Sequence, residues 1–118
     1  MATVESFRDL LVWQRSIQLA LAVYKLTFMF PREEIYGLSS QIRRASVSVA
    51  SNIAEGQGRA STGEFRQFLG IARGSNLEVQ TQLVIVRELG YGTQTEVQKC
   101  DELSVEVGKM INGLLKSL

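Results

Sequence analysis

The chain has 118 residues, 45% of them hydrophobic and 21% charged, with a single proline; that is enough for one substantial hydrophobic core, too little for two, and unlike a disordered or fibrous sequence. Its 13 basic and 12 acidic residues leave a formal net charge of +1, which excludes a wholesale basic field and leaves room only for a local patch. Histidine is absent and Cys100 is the only cysteine, so the commonest general base, the commonest metal ligand and any intramolecular disulfide are excluded together. Glu5, Arg8 and Asp9 interrupt the N-terminal stretch before any long apolar run, so no signal peptide is expected. The most apolar stretch, Ile17 to Phe30, carries Lys25 and is too short to span a bilayer. The expectation is a cytoplasmic protein without membrane contact.

Four segments with helical period follow in chain order, over roughly 6–30, 33–57, 62–89 and 94–117, within a single domain spanning 1–118. In the first, Leu10, Trp13, Ile17, Leu21, Tyr24 and Phe28 recur at steps of three and four and predict the core face. Ser6 or Asp9 can cap its start, and Pro31 marks its end. In the second, Leu38, Ile42, Ala45, Val49 and Ile53 form the apolar stripe. Ser46 to Val49 also alternates with period two, but the helical pattern continues for several turns on both sides, and Gly56 and Gly58 supply the stop.

The third segment opens with Ser61 and Glu64 in the spacing of a capping box. Phe65, Phe68, Leu69, Ala72, Val79, Leu83 and Val86 line its core face, and Leu89-Gly90-Tyr91-Gly92 closes it. The fourth begins near Thr93 or Thr95, with Val97, Cys100, Leu103, Val107, Met110, Ile111 and Leu114 on its inner face. Short connections force neighbouring helices to run antiparallel. The predicted fold is therefore all-α, an antiparallel up-down-up-down four-helix bundle.

A plain bundle leaves two features unexplained. Gln41, Arg44, Ser48, Asn52, Glu55 and Arg59 occupy one narrow sector of the second helix, beside its apolar stripe. Polar groups bordering a core need partners, and Arg73, Ser75, Glu78, Thr81 and Gln82 on the third helix are the candidates for a network across helices or across subunits. Gly70 and Gly74 lie one turn apart in the third helix, where glycine costs up to about 1 kcal/mol relative to alanine. Close approach of another backbone would explain them, either within the chain or at a subunit interface. Charge is also uneven. Arg43, Arg44, Arg59, Arg66 and Arg73 face only Glu55 and Glu64 over residues 43–73, whereas Glu96, Asp101, Glu102 and Glu106 outnumber Lys99, Lys109 and Lys116 in the last helix. Complementary helix faces and solvated surface are the simpler account of this pattern, with a functional basic face as the alternative.

No catalytic constellation emerges. A serine or cysteine triad of the usual type needs histidine. One cysteine cannot build a structural zinc site, and a di-iron bundle needs Glu-x-x-His motifs. Cys100 falls on an apolar helix face and reads as a buried structural thiol. Glu55-Gly56-Gln57-Gly58-Arg59 lacks the strand and the lysine of a phosphate loop. The expectation is a protein that is not an enzyme and uses no cofactor or metal.

Gln41-Ile42-Arg43-Arg44-Ala45, Ser48, Asn52-Ile53-Ala54-Glu55-Gly56 and Arg59, continued by Phe65, Phe68-Leu69, Ile71-Ala72, Gly74-Ser75, Glu78, Thr81-Gln82-Leu83 and Leu89-Gly90-Tyr91, resemble a bacterial four-helix-bundle family. Its founding members are encoded inside intervening sequences of 23S rRNA genes. Phe7-Arg8-Asp9-Leu10 with Trp13 looks like the family's opening. The resemblance implies a ring-like homopentamer. It also implies kinship with the accessory variability protein of diversity-generating retroelements, whose basic surface is associated with nucleic acid and a reverse transcriptase. This chain departs by carrying Gln80 where the family usually has a second glutamate, and Asn76 where leucine usually follows Gly-Ser; a weaker charged network on the third helix is expected, with the fold intact.

Two functions compete at this level. One is a homo-oligomeric RNA- or DNA-binding accessory protein that contacts phosphate through Arg43, Arg44, Arg59, Arg66 and Arg73, with Tyr36 and Tyr91 as the exposed aromatic candidates. The other is an interaction scaffold that displays a surface for a protein partner. In both, Gln41, Ser48, Asn52, Glu55, Gly70, Gly74, Ser75, Glu78 and Gln82 are the candidate interface or polar-network residues.

Overall fold

The computed structural model describes residues 6–118; Glu5 and the rest of 1–5, part of the expected domain, lie outside the described residues. Ser6 caps a short 3-10 turn over Phe7–Asp9, taking the Arg8 amide on its hydroxyl while Asp9 takes the Ser6 amide. Leu10 is extended, and the first helix proper, α1, runs Leu11–Thr27. A second 3-10 turn at Arg32–Glu34 follows Pro31, and α2 spans Leu38–Gln57. The first two helices are thus shorter than their apolar periods suggested: a 3-10 turn takes the N-terminal flank of each, and α1 ends at Thr27. The third and fourth, α3 (Thr62–Leu89) and α4 (Gln94–Ser117), match expectation. Ser61 and Thr93 cap them through their hydroxyls, and Gly90 ends α3 in the left-handed conformation at φ 73°.

Each helix packs on its two sequence or ring neighbours, α1 on α2, α2 on α3, α3 on α4 and α4 on α1, with α2–α3 the most extensive seam. The result is an antiparallel up-down-up-down four-helix bundle 45 Å long. Glu34 ties two connections together at one end. Its carboxylate accepts the Leu38 amide and, at 2.9 Å, the Tyr91 hydroxyl, while Phe30 and Tyr91 stack at 5.4 Å.

The buried face of α1 differs from the expected one. Val12, Ser16, Leu19, Val23, Leu26 and Phe30 point inward at steps of four, three, four, three and four, whereas Leu21 and Phe28 are 66% and 80% exposed and Tyr24 is also exposed. Leu10, Trp13 and Ile17 are only half-buried. α1 is apolar on most of its circumference, and Ser16 disguises the real seam; its hydroxyl donates to the Val12 carbonyl at 2.7 Å and so enters the core satisfied. In α2, α3 and α4 the expected faces are the ones turned inward, with Leu38, Phe65, Phe68, Leu103, Met110 and Leu114 at their half-buried margins.

The core has two apolar clusters, one built around Leu19, Leu26, Ile42, Leu83 and Cys100, the other around Val12, Ile53, Leu69, Val107 and Ile111. Between them lies a buried polar waist: Ser16, Ser46, Asn76 and Ser104, one residue from each helix. Ser46 donates to the Arg43 carbonyl, and Asn76 and Ser104 bond each other. The departure at Asn76 is therefore a core feature matched by α4. Gly108 makes room for it, since a Cβ there would come within 3.2 Å of Asn76 Nδ2.

Candidate interaction surfaces

The polar sector of α2 faces α3 across a groove of about 400 Å³ lined by Gln41, Arg44, Ala45, Ser48, Ser75 and Glu78. Antiparallel pairing brings Ser48 and Ser75 hydroxyl to hydroxyl at 2.9 Å, and Asn52 Nδ2 donates to both the Ser48 carbonyl and its hydroxyl. Among the described residues, Ser75 is the one of the five α3 candidates seen to bond to the α2 sector. Thr81 returns to its own helix at the Leu77 carbonyl, and Arg73 turns away to Asn112 Oδ1. Gln82 is 6% exposed, and among the described residues its Oε1 has no hydrogen-bond donor. Glu55 and Arg59 pair with each other at 3.0 Å, Arg59 lying just past the end of α2 with its guanidinium over Phe68.

Among the described residues, a Cβ at Gly70 or Gly74 would find nothing within 4 Å. The close approach between helices falls instead at Gly56, where a Cβ would lie 2.6 Å from that of Phe68. Beside the two open glycines, Ile71, Leu77, Val84 and Ile85 are also exposed on α3. The intrachain explanation for Gly70 and Gly74 therefore does not hold.

The five arginines are distributed over three sides of the bundle. Arg43 lies on the α1–α2 seam, where its guanidinium covers Tyr24 and Phe28 and its Nε donates to Thr27 Oγ1. Arg44 lies in the α2–α3 groove. Arg66 and Arg73 lie on the α3–α4 edge, donating to the Leu115 carbonyl and to Asn112. Lys109 and Lys116, on the Asn112 side of α4 by helical spacing, extend that edge. Among the described residues, none of Arg66, Arg73, Lys109 and Lys116 forms an ion pair with a carboxylate. Glu96, Asp101 and Glu102 sit in the first half of α4, toward the opposite end of the bundle, where Glu96 meets Lys25 at 3.5 Å; Glu106, at mid-helix, pairs with Arg15 at 2.8 Å. Sequence reasoning placed Lys109 and Lys116 in an acidic helix; their seven-residue spacing, matching that of Arg66 and Arg73, was the available signal.

Of the aromatic candidates, Tyr36 is 94% exposed, whereas Tyr91 is half-buried with its hydroxyl committed to Glu34. That bond and burial both raise the Tyr91 pKa. Burial pushes the Cys100 thiol up to about 12, leaving it protonated and unreactive at neutral pH. Among the described residues, no cluster of three acidic or cysteine side chains is placed to hold a metal, and no helix is long and apolar enough to cross a membrane.

A small four-helix bundle with a polar groove on one seam and a basic edge on another defines the class. Residues 8–113 match the family described as 23S rRNA-intervening sequence protein, and the chain belongs to that family. It is similar to a crystal structure of a protein of unknown function from the S23 ribosomal protein family of Bacteroides thetaiotaomicron VPI-5482, with a TM-score of 0.80 and 24% identity over 90% of this chain and 99% of that one. That likeness concerns the fold. No curated protein matches the chain.

Proposed function

We propose that the protein is a non-catalytic, cytoplasmic, self-associating accessory protein that binds RNA or DNA through phosphate, assembled as a homopentamer. The observation that carries the binding is the basic edge: Arg66 and Arg73 from α3 beside Lys109 and Lys116 from α4, none of them in an ion pair among the described residues. Hydrogen bonds to α4 hold both arginines in place, so the edge is pre-organised for an anionic backbone. Repetition around a ring would multiply a field that +1 per chain conceals. Self-association is supported by the outer face of α3, where two glycines and four apolar residues are left open to solvent in a lone protomer. Kinship with the accessory variability protein of retroelements belongs to the same reading, on the motifs of α2 and α3.

The test is light scattering after size exclusion, at low and high salt, with and without structured rRNA fragments. A mass near five protomers that co-elutes with RNA only at low salt supports both parts of the reading. A pentamer indifferent to RNA favours a protein-interaction scaffold, for which the α1–α4 groove offers an apolar floor of Leu21, Ala22 and Leu103 between charged rims. A monomer overturns the assembly.

A further inference from the structure

Two aromatic rings at the α1–α2 end of the bundle, Tyr24 and Phe28, keep part of their surface open to solvent beside Arg43. Tyr24 and Phe28 lie one turn apart, and Phe28 keeps 80% of its surface in solvent, giving up the burial that core aromatics gain. The Arg43 guanidinium sits 4.8 Å from the centre of the Tyr24 ring and 5.3 Å from that of Phe28. It is fixed there, because its Nε donates to Thr27 Oγ1 at 2.7 Å and that hydroxyl in turn donates to the Tyr24 carbonyl. Among the described residues Arg43 has no carboxylate partner. Tyr36, in the connection that follows α1, offers another open ring at the same end.

We infer that Tyr24, Phe28 and Arg43 form a stacking site for an unpaired nucleotide, the base lying against the rings and the phosphate meeting the guanidinium. Two features point to this ligand. Open aromatic faces accept any base without reading its sequence, and an un-neutralised, oriented guanidinium supplies charge where a backbone phosphate would follow. A duplex cannot use the site, since its bases are already stacked and paired. A carboxylate side chain would satisfy Arg43 but brings no flat ring to cover the adjacent aromatics. The inference rests on the nucleic-acid reading above and narrows it to single-stranded segments, held by phosphate at the basic edge and by a base at the other end.

Fluorescence anisotropy with labelled oligouridylate, an abasic strand of the same length and a duplex separates the two sites. Phe28→Ala is expected to weaken oligouridylate binding about tenfold, the scale of one base–aromatic stack, and to leave the abasic strand and duplex within about twofold. Phe28→Tyr should bind like the parent protein. Arg66→Gln with Arg73→Gln should weaken all three ligands alike. If Phe28→Ala leaves oligouridylate binding unchanged while the α3 variant weakens it, the stacking site is refuted and the phosphate reading survives. If the parent protein binds none of the three, both fall. A change of mass on Phe28→Ala would identify the patch as a subunit contact and also overturn the assignment.

Discussion

Asn76 and Ser104 exchange hydrogen bonds in both directions across the α3–α4 seam: Asn76 Nδ2 donates to the Ser104 carbonyl at 2.9 Å, and Ser104 Oγ donates to Asn76 Oδ1 at 2.8 Å. Both residues are buried at the waist between the two apolar clusters. A buried polar pair of this kind is valuable chiefly because either half alone is costly. It also discriminates against sliding α3 along α4, since only one register satisfies both groups.

Ser104→Ala leaves Asn76 Oδ1 without its donor and should destabilise the protein by about 1–3 kcal/mol. Asn76→Leu together with Ser104→Ala should cost less than the two single changes added, because no orphaned group remains. Urea denaturation of the three variants measures this. Strict additivity would mean that the pair does not act as a unit.

The glycines separate packing from assembly. Gly56→Ala forces a Cβ against Phe68 and should cost about 1–3 kcal/mol through overpacking. In an isolated protomer, Gly70→Ala and Gly74→Ala should each be neutral or stabilising by up to about 1 kcal/mol. In the proposed assembly, Ser48→Leu combined with Gly74→Leu should lower the light-scattering mass while helical circular dichroism persists. Unchanged mass and unchanged stability would remove this face from the interface.

Cys100 makes stability depend on alkaline pH. Its thiol is held up to about 12 when folded against an ordinary value of 9.0. Between those values the unfolded chain has lost its proton and the folded one has not, so stability should fall as pH rises above about 9. Comparing denaturation midpoints at neutral and alkaline pH for the parent and Cys100→Ala isolates this contribution, and the variant should show the shallower decline. A thiol reagent should modify the parent at neutral pH only once it is unfolded.

Tyr91→Phe removes the hydrogen bond to Glu34 while keeping the stack on Phe30. A loss of about 1 kcal/mol is expected, with faster amide exchange confined to the connections α1–α2 and α3–α4. Loss of protection spread through the helices would show that the bond does more than join two loops.

Much of the bundle is legible residue by residue. The stripe of Ile42, Ala45, Val49 and Ile53, the caps at Ser61 and Thr93, and the stop at Gly90 lie where the sequence places them. The polar sector of α2 is also legible as a place that needs partners, and Ser48 with Ser75 supplies part of the answer. The inward face of α1 is not. Leu21 and Phe28 are as apolar as Leu19 and Leu26, and only contact with α2 and α4 decides between them. The even spacing of Gly70 and Gly74 suggests close packing, yet Gly56, read as a mere stop, is where two helices touch.

Periodicity, capping and breakers act within about four residues, so the sequence by itself determined an all-α chain of four amphipathic helices and the antiparallel order that short connections impose. The rotation of each helix about its axis depends on residues remote in sequence. Tertiary structure alone therefore decided that Asn76 meets Ser104, that Arg66 and Arg73 share an edge with Lys109 and Lys116, and that Arg43 leaves them for the rings of Tyr24 and Phe28. Each of those placements joins residues far apart in sequence, a relationship that no single segment can express.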